Sequence, residues 1–247
     1  MAIEKNIETW RNPYDNGFSI TRLKNITIKS GLTVLVGCNG AGKTTLIENI
    51  IEKLKKENIP YYAFDNLSSG GKKSISKMMH NNNIEKAALM VSSSEGENIT
   101  NHICDILAKA RYFIKTGNSD VYETNELKKI FKNTNQDEKL ITSNERWFLF
   151  DAIDSGYSID NIIELKELFN LMISDSKKIN KDLYIVVSAN SYEMANNENC
   201  FDVMSGKYIR FENYDEYKKF IIKSRKRKEK RYLQNKKGGD IKWIKKN

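Results

Sequence analysis

The stretch GCNGAGKTT at residues 37–45 has the residue types and the spacing that bind nucleotide phosphate. It satisfies the pattern GxxxxGK(S/T), in which glycines let successive backbone N–H groups turn toward a phosphate. Lys43 would reach the β- and γ-phosphate oxygens, and the Thr44 hydroxyl would be a ligand for Mg²⁺. The pattern therefore predicts a P-loop for a nucleoside triphosphate and Mg²⁺. Its expected contacts are Asn39, Gly40, Ala41, Gly42, Lys43, Thr44 and Thr45.

A second candidate group is a carboxylate that directly follows a run of apolar residues. The sequence WFLFD at residues 147–151 predicts a buried strand that ends at Asp151. P-loop sites use an acidic residue at the end of a neighbouring strand to hold the Mg²⁺ shell. Thr44 and Asp151 are therefore the predicted metal ligands. An aspartate that only terminates the strand is the alternative interpretation of Asp151.

The segments that carry these residues alternate between strand and helix patterns. Predicted strands lie at residues 32–36, 59–64, 146–151 and 183–190, with a hairpin at 200–211. An amphipathic helix follows the first strand, and another follows Asp160, which we expect to be its N-cap. This alternation predicts an α/β P-loop NTPase fold with a mostly parallel sheet and antiparallel edge strands. The region at about 67–142 has helical and polar patterns and is expected to be a helical subdomain.

The composition, with 39% hydrophobic and 30% charged residues, is typical of a soluble globular protein. The sequence has no apolar run of membrane-spanning length and no signal-peptide pattern at its N-terminus, so we expect a cytoplasmic protein that does not enter membranes. Its three cysteines are widely spaced, which favours neither a disulfide framework nor a zinc site.

The formal net charge of +9 is concentrated at the C-terminal end. Residues 221–247 contain 12 Lys and Arg but only Glu229 and Asp240, a net of +10. We therefore divide the chain into an ATPase domain at 1–220 and a basic tail at 221–247. Such a tail would neutralise nucleic-acid phosphates, and a solvated end or a docking arm for an acidic protein partner are the alternatives.

The motif residues resemble the nucleotide-binding domain of ABC-type ATPases, over roughly residues 1–211. GCNGAGKTT is similar to that family's P-loop, and LFDAIDSGYSID resembles its strand, acidic pair and following loop. The soluble SMC-like and RecF-like branches, or a related bacteriophage ATPase, are the nearest in pattern. This resemblance implies that ATP and Mg²⁺ are bound between two subunits of a head-to-tail homodimer.

The resemblance also implies a signature segment at a helix N-terminus that meets the partner's ATP. Residues 92–98, SSSEGEN, precede an amphipathic helix and are favoured over LSSGGKK at 67–73, which lies too close to the P-loop. Ser94 and Glu97 form a capping box that leaves the backbone N–H of Gly96 free. A simple helix cap is the alternative. The adenine is expected to stack on Trp10, with Tyr14 and Phe18 as substitutes.

Two departures from the resembled family bear on ATP hydrolysis. The general-base glutamate that should follow the magnesium aspartate is replaced by Ala152, and the switch histidine position falls on Ser188, Ala189 or Asn190. Asp154 is then the candidate for orienting water, and Asn190 for contacting the γ-phosphate. We therefore expect ATP binding with slow or no hydrolysis, because general-base assistance contributes about 10² to 10⁴ in rate.

Three functions remain open from the sequence. The first is a slowly hydrolysing ATP switch that acts on nucleic acid, in replication, repair, recombination, or phage defence and counter-defence. The second is an ATP-dependent protein-assembly or regulatory module. The third, less favoured because no acceptor-site pattern is visible, is a P-loop kinase.

Overall fold

A six-stranded sheet organises the part of the chain that the structure describes. This structure is a computed structural model, and it describes residues 3–9, 25–65, 110–118, 143–155 and 157–244. The strands are β1 (Glu4–Glu8), β2 (Asn25–Lys29), β3 (Gly31–Val36), β4 (Tyr61–Asp65), β5 (Glu145–Asp151), β6 (Asp182–Ser188), β7 (Cys200–Asp202) and β8 (Lys207–Ile209). The sheet order is β4-β5-β6-β3-β7-β8, and β1 pairs with β2 in a separate two-stranded sheet.

The strand pairings confirm the predicted sheet. All neighbours from β4 to β7 pair in parallel, and only β7 and β8 pair antiparallel at the edge. The hairpin turns at Gly206, whose φ of 71° lies in the left-handed region that glycine adopts without strain. Strands β3, β5 and β6 are buried along almost their full length, which explains their continuous apolar sequences.

Helices cover both faces of the sheet, and each face has its own apolar layer. The helices are α1 (Lys43–Lys56), α2 (Ile159–Lys178), α3 (Tyr192–Ala195) and α4 (Tyr214–Ile244), and residues 110–116 are also helical. One layer joins α1 and the β1–β2 pair to the sheet through Ile7, Ile26, Ile28, Leu46, Ile50, Leu149 and Val186. The other joins α2 to the opposite face through Ile162, Leu165, Phe169, Phe148, Phe150, Ile185 and Val187. Alternate residues of β5 and β6 serve the two layers, as the period of two in a strand requires.

One local prediction needs correction, and one strand has no counterpart among the predictions. Helix α2 begins at Ile159, and its N-cap is Ser158, whose Oγ accepts a hydrogen bond from the Asn161 N–H at 3.3 Å. Asp160 lies in the first turn instead, where its charge favours the helix dipole. Strand β1 was not predicted, because it is short and Ile7 is its only buried residue.

Helix α4 continues across residue 220, where the sequence suggested a boundary between domain and tail. Its inner side packs on the rest of the protein through Tyr217 and Ser224, which are 5% and 1% exposed. The first part of the basic segment is therefore a helix docked on the core. Of the predicted helical subdomain, only residues 110–118 lie within the described residues. None of the described helices is long and apolar enough to cross a membrane.

Candidate nucleotide-binding site

The predicted phosphate loop connects β3 to α1 at the carboxyl edge of the parallel sheet. Gly42 is the N-cap of α1, with φ 100° and ψ 22°, and no side chain caps this helix end. Because the first backbone N–H groups of a helix have no partner within the helix, an uncapped N-terminus is a ready site for an anion. The hydroxyl-bearing Thr44 and Thr45 are both exposed in the first turn.

Lys43 is buried at the base of this loop and is only 9% exposed. Its Nζ donates a hydrogen bond to the Gly37 carbonyl at 2.9 Å, and none of the described carboxylates lies within ion-pair distance of it. Burial lowers the pKa of Lys43, and nearby Cys38, Asp154 and Asp151 only partly oppose this shift. The lysine is therefore a buried cation that lacks a directly bonded anion, which is the arrangement a phosphate would complete.

Asp151 lies at the end of β5, as predicted, and is half-buried. Strand β6 separates β5 from the loop-bearing β3, so the residue at the end of β6 lies between the two predicted magnesium ligands. That residue is Ser188, whose hydroxyl donates to Asp151 Oδ1 and accepts the Ala152 N–H at 2.8 Å. Ser188 therefore orients the Asp151 carboxylate. The sequence places Ser188 among the residues at the switch-histidine position but does not indicate this contact with Asp151.

Asp154 is 7% exposed and holds the loop after β6. Its Oδ2 accepts backbone N–H bonds from Asn190 at 2.7 Å and Ser191 at 2.6 Å, while its Oδ1 has no hydrogen-bond partner among the described residues. The structure thus brings the two predicted catalytic residues Asp154 and Asn190 together, but through the backbone of Asn190. The side chain of Asn190 is exposed, and its carbonyl accepts the Tyr217 hydroxyl at 2.8 Å.

Helix α4 contributes residues to the loop that the sequence did not indicate. Ser224 Oγ accepts the Cys38 N–H at 3.2 Å, and Lys228 Nζ donates to the Asn39 carbonyl at 2.8 Å. These contacts join positions almost 190 residues apart in the chain, for which no local sequence pattern exists.

Four of the predicted contact residues lie outside the described residues. They are Trp10, Ser94, Gly96 and Glu97. The stacking of adenine on Trp10 and the signature at residues 92–98 therefore stay predictions, as does the alternative at 67–73.

The described residues fit a magnesium nucleotide. The uncapped helix end and the buried Lys43 offer a place for phosphate oxygens, and the loop residues Asn39 and Gly40 are exposed. Thr44 and Asp151 would hold Mg²⁺ together with those oxygens, because this ion is usually bound through one or two protein groups and the substrate phosphates. Within the described ranges, no cluster of three or more His, Cys, Asp or Glu offers an all-protein metal site.

The chain was compared with known protein families, curated proteins and solved structures. The NB-ARC domain family matches residues 20–146, which is just over half of the chain and includes the phosphate loop, α1 and β4. No curated protein and no solved structure matches the chain significantly. The match supports the nucleotide-binding P-loop ATPase predicted from GCNGAGKTT, and it does not support the ABC-type branch that the same residues resemble. NB-ARC domains bind ATP or ADP, typically with Mg²⁺. With its α/β fold and its glycine loop at the start of α1, the chain belongs to the NB-ARC domain family of P-loop NTPases.

Proposed function

We propose that this protein is a switch that binds Mg·ATP at the phosphate loop and hydrolyses it slowly. The observation that carries this proposal is the buried Lys43. Among the described residues its one hydrogen-bond partner is the Gly37 carbonyl, and it lies near Asp151 and Asp154. A buried ammonium group with no directly bonded anion costs stability, and this cost would be offset when phosphate oxygens bind. The loop is therefore built for an anionic ligand.

Slow hydrolysis follows from the residues beside Asp151. Ala152 has no side chain that could accept a proton from water, and Asp154 uses one carboxylate oxygen to hold two backbone N–H groups. Mg²⁺, when bound, would neutralise phosphate charge and polarise the γ-phosphate. Lys43 would orient the phosphates and Asp151 would be held in place by Ser188. The position after Asp151 therefore lacks a general base, a contribution worth about 3 to 5 kcal/mol of barrier.

Binding can be tested with Lys43→Ala, using isothermal titration with Mg·ATP. We expect affinity to fall by at least about 100-fold, since the variant loses a charged hydrogen-bond donor. Lys55→Ala is the matched control, because Lys55 is an exposed lysine of the same helix. If the parent protein takes up no Mg·ATP, or if the two variants bind alike, the proposal is wrong.

Turnover can be tested with Ala152→Glu, which supplies a carboxylate beside Asp151. We expect ATP hydrolysis to rise by about 100-fold, within the range of general-base effects. Ala152→Gln is the control, since it has the same size without a basic group. Equal rates for the two variants would show that the missing carboxylate is not what limits hydrolysis.

We also propose that ATP brings two copies of the chain together. Support comes from the exposure of Asn39, Gly40, Thr44 and Thr45, which leaves the outer side of the loop accessible to a second molecule. Light scattering with and without Mg·ATP should show a shift from monomer toward dimer for the parent and not for Lys43→Ala. An unchanged mass for the parent would exclude this assembly.

A nucleic-acid partner is favoured by the outer face of α4. Lys219, Lys223, Lys226 and Lys230 are all exposed, and their spacing places them on one side of the helix, opposite Ser224 and Lys228. A row of exposed cations suits a phosphate backbone, so affinity for single-stranded DNA should fall steeply with salt. Changing these four lysines to Gln should flatten that dependence, whereas changing Lys55 and Lys56 should not. If the salt dependence is already flat in the parent, an acidic protein becomes the favoured partner.

A further inference from the structure

Two lysines approach the phosphate loop from different helices, and they are held in the same way. Lys43 of α1 donates to the Gly37 carbonyl at 2.9 Å, and Lys228 of α4 donates to the Asn39 carbonyl at 2.8 Å. Each partner is a neutral acceptor. An ammonium group has three N–H donors, so each lysine has capacity for further acceptors.

Two arginines near Lys228 on α4 differ from it in having carboxylate partners. Arg227 lies 3.5 Å from Asp202, and Arg225 lies 3.2 Å from Glu229. Within the described part of the chain, Lys228 forms no ion pair with any carboxylate. Its charge is therefore placed at the loop without an anion to balance it.

The loop is shaped to let Lys228 approach. Gly40 has φ 69°, and a Cβ built on it would lie 2.5 Å from Lys228 Nζ. A side chain at this position would therefore displace the ammonium group, besides being strained by the left-handed backbone. Ser224, one helical turn earlier, fixes α4 against the loop by accepting the Cys38 N–H at 3.2 Å.

We propose that Lys228 is a second phosphate-binding residue of the nucleotide site, supplied by the C-terminal helix. It lies beside the middle of the loop, between residues 39 and 40, where it would donate its remaining N–H groups to the oxygens of the bound triphosphate. The nucleotide would then bridge α1 and α4. Because α4 also carries the exposed basic face, occupancy of the loop would fix the helix that presents that face. This inference rests on the proposed nucleotide binding.

The test compares three substitutions by titration with Mg·ATP. Lys228→Gln removes the charge but keeps an N–H donor for the Asn39 carbonyl. If Lys228 only holds the loop in place, this variant should therefore bind Mg·ATP almost as well as the parent. Lys228→Met removes both the charge and the donor. Lys226→Gln is the control, since Lys226 is an exposed lysine on the opposite face of the same helix. Thermal unfolding without nucleotide establishes that each variant is folded.

We expect both Lys228→Gln and Lys228→Met to weaken Mg·ATP binding by about tenfold, and Lys226→Gln by less than about twofold. The inference is overturned if Lys228→Gln binds as the parent does, or if Lys226→Gln loses as much affinity as the Lys228 variants. Should either Lys228 variant fail to fold, the other decides, because they disturb the Asn39 contact differently. If the parent binds Mg·ATP and Lys43→Ala does not, while the Lys228 variants bind normally, only this inference fails and the proposed function stands.

Discussion

The two ends of strand β5 use charged residues in opposite ways. At its amino end, Lys5 bonds to Glu57 at 2.7 Å and to Glu145 at 3.0 Å, and Glu145 also accepts the indole N–H of Trp147 at 3.0 Å. Arg146, 1% exposed, donates to three backbone carbonyls, those of Ile114, Ser143 and Glu145. Lys5, Glu145 and Arg146 thus all have partners that hold them in place.

At the carboxyl end of the sheet, Lys43 and Asp154 are only partly satisfied. Lys43 bonds to one carbonyl, and Asp154 Oδ1 is buried without a partner among the described residues. The pKa values reflect the difference. Burial lowers the pKa of both lysines, but in Lys5 the hydrogen bonds to Glu57 and Glu145 outweigh it and raise the pKa, while Lys43 stays lowered. One end of the sheet is thus arranged for stability and the other for a ligand.

The largest loss of stability is expected at the amino end of β5, where the charged groups have partners. Arg146→Met leaves three carbonyls without their donor, and we expect the free energy of unfolding to fall by about 3 to 5 kcal/mol. Urea denaturation measures this loss. Arg111→Met is the control, because Arg111 is 81% exposed and its 3.5 Å contact with Asp175 should contribute less than about 1 kcal/mol. Similar losses in the two variants would mean that the carbonyl contacts of Arg146 do not anchor residues 110–118.

A smaller loss of stability is expected at Asp154, and it tests whether this residue holds the loop after β6 as well as being part of the candidate site. Asp154→Ala leaves the N–H groups of Asn190 and Ser191 without an acceptor, so we expect a loss of about 2 to 3 kcal/mol in denaturant unfolding. Asp154→Asn keeps one oxygen that can accept both bonds and should cost clearly less. If Asn and Ala destabilise equally, the negative charge rather than the two hydrogen bonds is what holds this loop.

The sequence predicted those parts of the fold and site that depend on local patterns. The apolar runs of β3, β5 and β6 and the glycine pattern before Lys43 each lie within a few residues, and together they located the phosphate loop and Asp151. Ser224 and Lys228 could not be found in this way, because their contact with the loop depends on how α4 docks. The sequence favours Asp160 as the N-cap of α2, whereas the structure has Ser158. Local pattern does not separate them, because serine and aspartate both cap helices and the two residues are two positions apart.

A smaller effect concerns pH and compares Lys43 with Lys5. The pKa of Lys43 is lowered from 10.5, so its charged form is penalised in the folded state. This penalty is complete below the folded pKa and is relieved as pH rises through it toward 10.5. The parent should therefore gain stability relative to Lys43→Met as pH increases over that range. Relative to Lys5→Met, the parent should instead lose stability as pH increases. The reason is that the stabilising bonds of Lys5 are lost as pH rises through its raised pKa.

Saturating Mg·ATP sharpens the same comparison. Phosphate oxygens near Lys43 would favour its charged form, so the pH-dependent gain of the parent should shrink when nucleotide is present. Chemical unfolding at several pH values measures the pH-dependent gain in stability with nucleotide and without it. A gain that is unchanged by nucleotide would mean that Lys43 does not contact the bound phosphates.

The smallest effect lies in the backbone beside Asp151. Ala152 has φ 51°, a left-handed conformation that costs an L-residue about 1 to 2 kcal/mol relative to the right-handed region. Ala152→Gly removes this strain but gives the unfolded chain more freedom, so the net gain should be about 0.5 kcal/mol in thermal unfolding. Asn180→Gly is the control, because Asn180 has a similar φ of 53° but asparagine tolerates it better. Suppose that Ala152→Gly stabilises the protein more than Asn180→Gly does. The chain would then keep a strained alanine at residue 152, where the N–H bonds to Ser188 and Ser188 in turn holds the Asp151 carboxylate. Equal changes in stability for the two glycine variants would mean that the backbone at the carboxyl end of β5 is not unusually strained. The difference between the two ends of β5 would then lie in their charged groups alone.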